Sequence, residues 1–147
     1  MATRSKIAIR KIDGKVESIY CHWDGYPTHN GKILKDFYKT PERVQELIDL
    51  GNISSLGQFI KPHPEMEHSF DMPQPNTTVA YERDRHEEGQ EKHVFNYESA
   101  FLKDCLLSDC EFYYLYDEKT KEWYFSAIPY VYDILEPTLL TDEIVNE

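Results

Sequence analysis

No segment of this chain of 147 residues comes near the roughly 18 consecutive apolar residues that a membrane-spanning helix requires. Residues 1–6 lead into a strand-like stretch, not into the apolar region of a signal peptide. These absences predict a soluble intracellular protein without a membrane partner. The length suits one domain with its own hydrophobic core, which argues against a multidomain enzyme.

Cysteine is scarce: the chain has Cys21, Cys105 and Cys110, with no C-x-x-C spacing. An odd count without that spacing predicts neither a disulfide framework nor a zinc knuckle. The six histidines are scattered, so we expect no metal and no cofactor. The phosphate-binding loop and the G-x-G-x-x-G, H-E-x-x-H and G-x-S-x-G motifs are missing too. The sequence therefore predicts no catalytic residue and leans away from an enzyme.

Basic residues are in the minority, with 16 Lys and Arg against 27 Asp and Glu and a net charge of −11. Most of this excess lies in residues 51–147, which hold 20 acidic and 7 basic residues. Phosphate contacts need clustered cations, so direct binding of nucleic acid is not expected. An acidic surface suits a basic partner, and it also serves simply to keep a small protein soluble.

Hydrophobic spacing predicts an α+β fold with the element order ββααβαββ. Alternating apolar residues around Asp13-Gly14 predict an initial hairpin. Helix-type spacing and caps predict three helices, which begin near Asn30, Thr40 and Asn96. Two aromatic-rich strands follow at residues 111–116 and 122–128. We expect a single domain over residues 1–135, built on a largely antiparallel sheet with helices on one side.

Two segments are expected to lie outside regular structure. Four prolines between residues 61 and 76 predict a mobile loop. Residues 136–147 are acidic and predict a fraying C-terminal tail. If one face of the aromatic hairpin is bare, it would form an interface between copies of the chain.

Residues 20–27, Tyr-Cys-His-Trp-Asp-Gly-Tyr-Pro, are the densest group of reactive side chains. In a strand, Cys21 and Trp23 would face the core, while His22 and Asp24 would share the opposite face with Tyr20. Cys21 and His22 therefore cannot pair, but Asp24 could orient His22 as a base. The block also fits two other interpretations: a buried strand followed by a tight turn, and a ligand-binding site.

The run of residues 81–88 interleaves cations and carboxylates around Arg83 and Arg85. Arginine forks bind phosphate and carboxylate groups well. If the two arginines lay beside His22 and Tyr26, they would form a pocket for a small anionic ligand such as a nucleotide. The alternative is a set of surface ion pairs that neutralise each other.

From these patterns we predict five ligand- or partner-binding residues: His22, Asp24, Tyr26, Arg83 and Arg85.

The block Ser18-Ile-Tyr-Cys-His-Trp-Asp-Gly-Tyr-Pro27 resembles a family of small, mostly uncharacterised proteins encoded by tailed bacteriophages and prophages. Further similarity extends from Thr3 to the segment Ala80-Tyr-Glu-Arg-Asp-Arg85, after which this chain has His86-Glu87 where the family pattern has Gly-Glu. The resemblance implies a phage accessory protein in the cytoplasm of the bacterial host. It supplies no catalytic residues.

Three functions agree with these expectations. The first is a non-catalytic binder that neutralises a host component, either a host defence protein or its nucleotide signal. The second is a small enzyme acting on a nucleotide or similar ligand, with His22 as base and Asp24 as its orienting group. The third is an acidic mimic of DNA that inhibits a DNA-binding protein.

Overall fold

The computed structural model describes residues 2–129 and 137–146, so the predicted domain boundary at residues 135–136 lies outside the described residues. The strands are β1 (Ser5–Arg10), β2 (Val16–Cys21), β3 (Ile53–Ser55), β4 (Val79–Ala80), β5 (His93–Phe95), β6 (Phe112–Asp117), β7 (Glu122–Ala127) and β8 (Thr138–Leu139). The helices are α1 (Lys32–Phe37), α2 (Pro41–Asp49), α3 (Tyr81–Arg85), α4 (Glu98–Leu107) and α5 (Asp142–Val145), and a π-helical turn over Pro27–Gly31 leads into α1.

One mixed sheet organises the described residues, in the order β4-β3-β2-β1-β6-β7-β8, with β5 paired to β2. Within them, β1–β6 and β2–β3 are the parallel pairs, and the other pairings are antiparallel. Parallel neighbours need crossover connections, and α1 with α2 supplies the one between β2 and β3. The predicted α+β class is confirmed; the helices beyond the predicted three, α3 and α5, are short.

Helices cover both faces of the sheet, not one face as predicted. Ile7 and Tyr114 point to the side of α1 and α2, and Ala8 and Tyr113 point to the side of α4. This follows from the period of two in paired strands. All side chains from Tyr113 to Tyr116 are buried, so β6 offers no bare aromatic face within the described residues.

The segments predicted as mobile loop and tail make specific contacts. In the proline-rich loop, the buried side chain of Gln74 accepts a hydrogen bond from the backbone N of His63 at 2.8 Å and donates to the carbonyl oxygen of Met66 at 3.0 Å. Near the C-terminus, Leu140 and Val145 are buried in the main core. Apolar burial thus holds this part of the predicted acidic tail against the sheet.

Local signals explain where several helices begin and end. The Thr40 hydroxyl accepts a hydrogen bond from the backbone N of Arg43, and Pro41 opens α2, as predicted. Helix α3 ends at Arg85, and the next residue, His86, has a left-handed φ of 56°. Glycine adopts that conformation most readily, but here a histidine takes it.

Candidate functional site

The residues after β2 form a tight turn that is fixed from inside. Gly25 sits so close to β1 that a Cβ atom there would lie 2.8 Å from the Cβ of Ser5 and from the carbonyl oxygen of Thr3. Its own carbonyl oxygen accepts a 2.6 Å hydrogen bond from the buried Tyr114 hydroxyl. Asp24 takes a φ of 56° just before it. The backbone therefore changes direction at the left-handed Asp24, and a side chain at position 25 would overlap Ser5 and the Thr3 carbonyl oxygen.

Asn30 closes the turn from the other side. Its fully buried side-chain amide donates to the carbonyl oxygen of Trp23 at 3.2 Å and to the Sγ of Cys21 at 3.3 Å. The Asn30 backbone N also donates to the carbonyl oxygen of Asp24 at 3.3 Å. The block from Cys21 to Asn30 is thus one hydrogen-bonded unit.

His22 and Asp24 do not form the predicted pair of a general base and its orienting carboxylate. The Nδ1 of His22 lies 2.7 Å from the Tyr20 hydroxyl oxygen, and its ring meets Trp23 edge-on at 4.7 Å. Asp24 instead accepts a 3.3 Å hydrogen bond from the Tyr26 hydroxyl. Because Asp24 has a left-handed backbone, the alternation of a strand ends there, and the side chains of His22 and Asp24 do not share one face as predicted.

Trp23 also departs from its predicted place in the core. Strand β2 ends at Cys21, so the alternation that predicts a buried Trp23 no longer applies at position 23. The Trp23 side chain is 44% exposed. A large aromatic ring is therefore available at the surface.

Arg83 is a structural residue. Its guanidinium donates to the carbonyl oxygens of Ile60 and Thr78, both at 2.6 Å, and to the carboxylate of Asp84 at 2.9 Å. These bonds tie α3 to the start of the proline-rich loop and to the residue before β4. The fork that was predicted to hold a ligand is occupied by the protein's own backbone.

Arg85 agrees with the alternative interpretation of residues 81–88, in which cations and carboxylates of the run pair with each other. Its guanidinium lies 4.3 Å from the ring centre of Phe70 and 5.1 Å from that of Tyr81, and its Nε donates to Glu87 at 3.0 Å. Within residues 2–129 and 137–146, no hydrogen bond, ion pair or ring contact joins either arginine to His22, Asp24 or Tyr26. The five predicted residues therefore fall into two groups with no direct contact between them.

Asp24 instead lines a groove of about 340 Å³, called the Asp24 groove below. Its walls come from the π-helical turn with α1, from the residues that follow β3, and from the end of the proline-rich loop. The described lining residues are Asp24, His29, Ile33, Phe37, Ser55, Leu56, Gly57, Gln58, Pro73, Gln74, Asn76, Thr77 and Val79. Among them Asp24 is the one carboxylate, and neither lysine nor arginine contributes.

His29 is the residue of this groove that sequence analysis missed. Because the Asn30 amide nitrogen is used as a donor twice, its Oδ1 is an acceptor, and the Nδ1 of His29, 2.9 Å away, carries the proton. In the neutral form of the ring, this tautomer leaves Nε2 as an acceptor. The Tyr26 ring lies 5.9 Å from that of His29, and the Asp24 carboxylate raises the pKa of the Tyr26 phenol.

Four exposed aromatic side chains belong to the Asp24 groove, contact its lining, or neighbour a lining residue in sequence. Trp23 and Tyr26 flank Asp24 in the turn, Phe37 belongs to the lining, and Phe59 follows the lining residue Gln58. Their exposures are 44%, 39%, 40% and 49%, respectively. We call Trp23, Tyr26, Phe37 and Phe59 the aromatic rim. Clustered exposed aromatic residues are typical of interaction surfaces.

Comparisons of the chain with protein-family models, with curated proteins and with solved structures return no match. None of the described helices is long and apolar enough to cross a membrane. Among the described residues, no three histidine, cysteine, aspartate or glutamate side chains are grouped to hold a metal ion.

Proposed function

We propose that this chain is a non-catalytic accessory protein of a bacteriophage that neutralises a protein component of the host cell, which it contacts through the Asp24 groove and the aromatic rim. The observation that carries this proposal is the exposure of four aromatic side chains, of which Phe37 lines the groove, Tyr26 contacts its lining residues, and Trp23 and Phe59 each follow or precede a lining residue in the chain. Tryptophan and tyrosine are the residues most enriched at the energetic centres of protein interfaces. The phage origin rests on the resemblance of residues 18–27.

The environment of the reactive side chains supports binding over catalysis. An imidazole base needs a group to orient it, and His22 contacts Tyr20 where the enzyme hypothesis requires Asp24. Burial raises the pKa of the Cys21 thiol to about 12 and raises the pKa of the Cys105 and Cys110 thiols as well. Nucleophilic cysteines need the thiolate, which burial disfavours at all three positions.

The charge of the Asp24 groove favours a protein partner over a nucleotide signal. A nucleotide brings phosphates, which bind best to arginine and lysine side chains. The described lining offers a carboxylate and no such cation. Carboxylate, amide and hydroxyl oxygens beside exposed rings suit a polypeptide that presents donors and apolar side chains. The host defence protein is therefore the preferred target at this groove.

Photocrosslinking in the cell tests the proposal at single positions. The photoreactive residue p-benzoylphenylalanine replaces Tyr26 in one variant and Phe59 in a second. A third variant carries it in place of Tyr97, which is 60% exposed and lies before α4, outside the aromatic rim. We expect one discrete host-protein adduct from both rim positions and no such adduct from position 97.

Two outcomes would contradict the proposal. One is the absence of a protein adduct from both rim positions in folded protein, and the other is the same adduct with equal yield from all three positions. A Trp23→Ala and Phe37→Ala double variant provides a matched check, because both side chains are exposed and their loss should weaken the crosslink without unfolding the chain.

A further inference from the structure

The Asp24 groove holds a half-buried carboxylate that has no cation beside it. The described lining contains neither lysine nor arginine, and within residues 2–129 and 137–146 no ion pair involves Asp24. The Tyr26 hydroxyl donates to its Oδ1 at 3.3 Å, whereas its Oδ2 receives no hydrogen bond from the same residues. Partial burial reduces screening by water and salt, so this carboxylate is a point of attraction for a cation.

Two rings lie beside the Asp24 carboxylate. Tyr26, which contacts it directly, is exposed. The Tyr26 ring centre lies 5.9 Å from that of His29, and the two rings meet at 62°. In the neutral form of His29, the contact of its Nδ1 with Asn30 leaves Nε2 as an acceptor. A negative charge, an exposed ring and a nitrogen acceptor therefore lie close together.

The chain holds one of its own arginines with a similar combination of groups. The Arg85 guanidinium lies over the rings of Phe70 and Tyr81, and its Nε donates to the Glu87 carboxylate at 3.0 Å. A planar guanidinium suits such a place because it stacks on rings and donates to a carboxylate from its edge. A lysine ammonium is a compact and strongly hydrated charge, which makes it the poorer fit.

We propose that the Asp24 groove receives an arginine side chain of the partner protein, with the guanidinium on the Asp24 carboxylate and against the Tyr26 ring. This inference rests on the proposed protein-binding function and specifies the chemistry of the partner. The groove, of about 340 Å³, lies near the lower end of the range of roughly 300–1,000 Å³ usual for ligand pockets, which suits one long side chain. The net charge of −11 attracts a basic surface.

NMR titration of the full chain with blocked single amino acids tests the proposal without a host protein. The probes are Nα-acetyl-arginine amide, Nα-acetyl-lysine amide and Nα-acetyl-citrulline amide, in which a neutral urea replaces the guanidinium, all at matched ionic strength. We expect the arginine amide to shift the backbone amide signals of Asp24, Tyr26 and His29 about twofold to fivefold more than the citrulline amide, the ratio expected of one exposed ion pair. The effect of the lysine amide should lie between the two.

Asp24→Asn is the deciding variant. Asparagine tolerates the left-handed φ of 56° at this position, and its amide oxygen can still accept from the Tyr26 hydroxyl, so the turn is retained. The preference for arginine over citrulline should disappear, because the negative charge is gone. Glu143→Gln makes the same change in net charge at an exposed position outside the groove and should keep the preference.

Four results would overturn the inference: equal shifts from the arginine and citrulline amides, a preference for arginine that survives in Asp24→Asn, its equal loss in Glu143→Gln, and a lysine amide as effective as the arginine amide. Because no host protein takes part, the titration is independent of the photocrosslinking. Crosslinks from the aromatic rim without a preference for arginine would remove this inference and leave the proposed function standing. A preference for arginine without crosslinks would contradict the proposed function and keep the Asp24 groove as an arginine-binding site.

Discussion

Replacing Arg83 by alanine should destabilise the protein far more than replacing Arg85, two residues away. Arg83 donates to the carbonyl oxygens of Ile60 and Thr78 and to Asp84. Hydrogen bonds from a charged donor stabilise by about 1.5–3 kcal/mol each. The Arg83 side chain is 26% exposed, so water replaces part of the loss. We therefore expect the free energy of unfolding to fall by about 2–4 kcal/mol.

Arg85 provides the matched comparison. Its side chain is 49% exposed and pairs with Glu87 across the rings of Phe70 and Tyr81. An exposed cation–π contact contributes about 0.5–1 kcal/mol, and an exposed ion pair about 0.5 kcal/mol. Arg85→Ala should thus cost about 1 kcal/mol in total.

Urea unfolding followed by circular dichroism measures both changes. In thermal melting of a chain of this size, the two losses correspond to a drop in Tm of about 4–16 °C for Arg83→Ala and about 2–4 °C for Arg85→Ala. Equal losses of stability in the two variants, or an Arg83→Ala variant within about 1 kcal/mol of wild type, would refute the structural role assigned to Arg83. Arg83 would then again be a candidate ligand-binding residue.

Two further predictions concern acid stability and the Asp24-Gly25 turn. Burial raises the pKa of the Asp84 carboxyl, but hydrogen bonds led by Arg83 outweigh it and hold that pKa below the ordinary value of 3.8. The stability from Asp84 is therefore complete above about pH 4 and lost as pH falls through the folded-state pKa, and acid titration of Asp84→Asn should show a flatter decline than the wild type. Gly25→Ala should lower the free energy of unfolding by about 1–3 kcal/mol, because the new methyl group would overlap Ser5 and the Thr3 carbonyl oxygen; an unchanged thermal midpoint would contradict this reading of the turn.

The parts of the fold that sequence could predict are those set by local spacing. Ile7 and Ile19 face each other in the β1–β2 hairpin, as alternation around Asp13-Gly14 predicted. Thr40 caps α2 as its position before proline predicted. The parallel pairing of Ile7 with Tyr114 joins segments over one hundred residues apart, and no local pattern specifies such a partner.

The candidate site was only partly predictable, for the same reason. Asp24 and Tyr26 do contact each other, and Asp24 lines the groove. The guanidinium of Arg83 predicts anion binding, but its chemistry alone does not reveal that backbone carbonyl groups already occupy it. His29 lacked any signal in the sequence, since its role follows from the orientation of the buried Asn30 amide. The Asp24-Gly25 pair was the signal that β2 ends early and that Trp23 is exposed.

The turn that follows β2 connects the core with the proposed binding surface. Its inward groups are held by the Tyr114 hydroxyl, by the Asn30 amide and by the close contact at Gly25. Its outward rings, Trp23 and Tyr26, are thereby presented in a fixed arrangement. A rigid aromatic surface loses little conformational freedom on binding, and preorganisation of this kind raises affinity without new contacts. Loosening the turn from inside should therefore weaken partner binding even when every residue of the aromatic rim is retained.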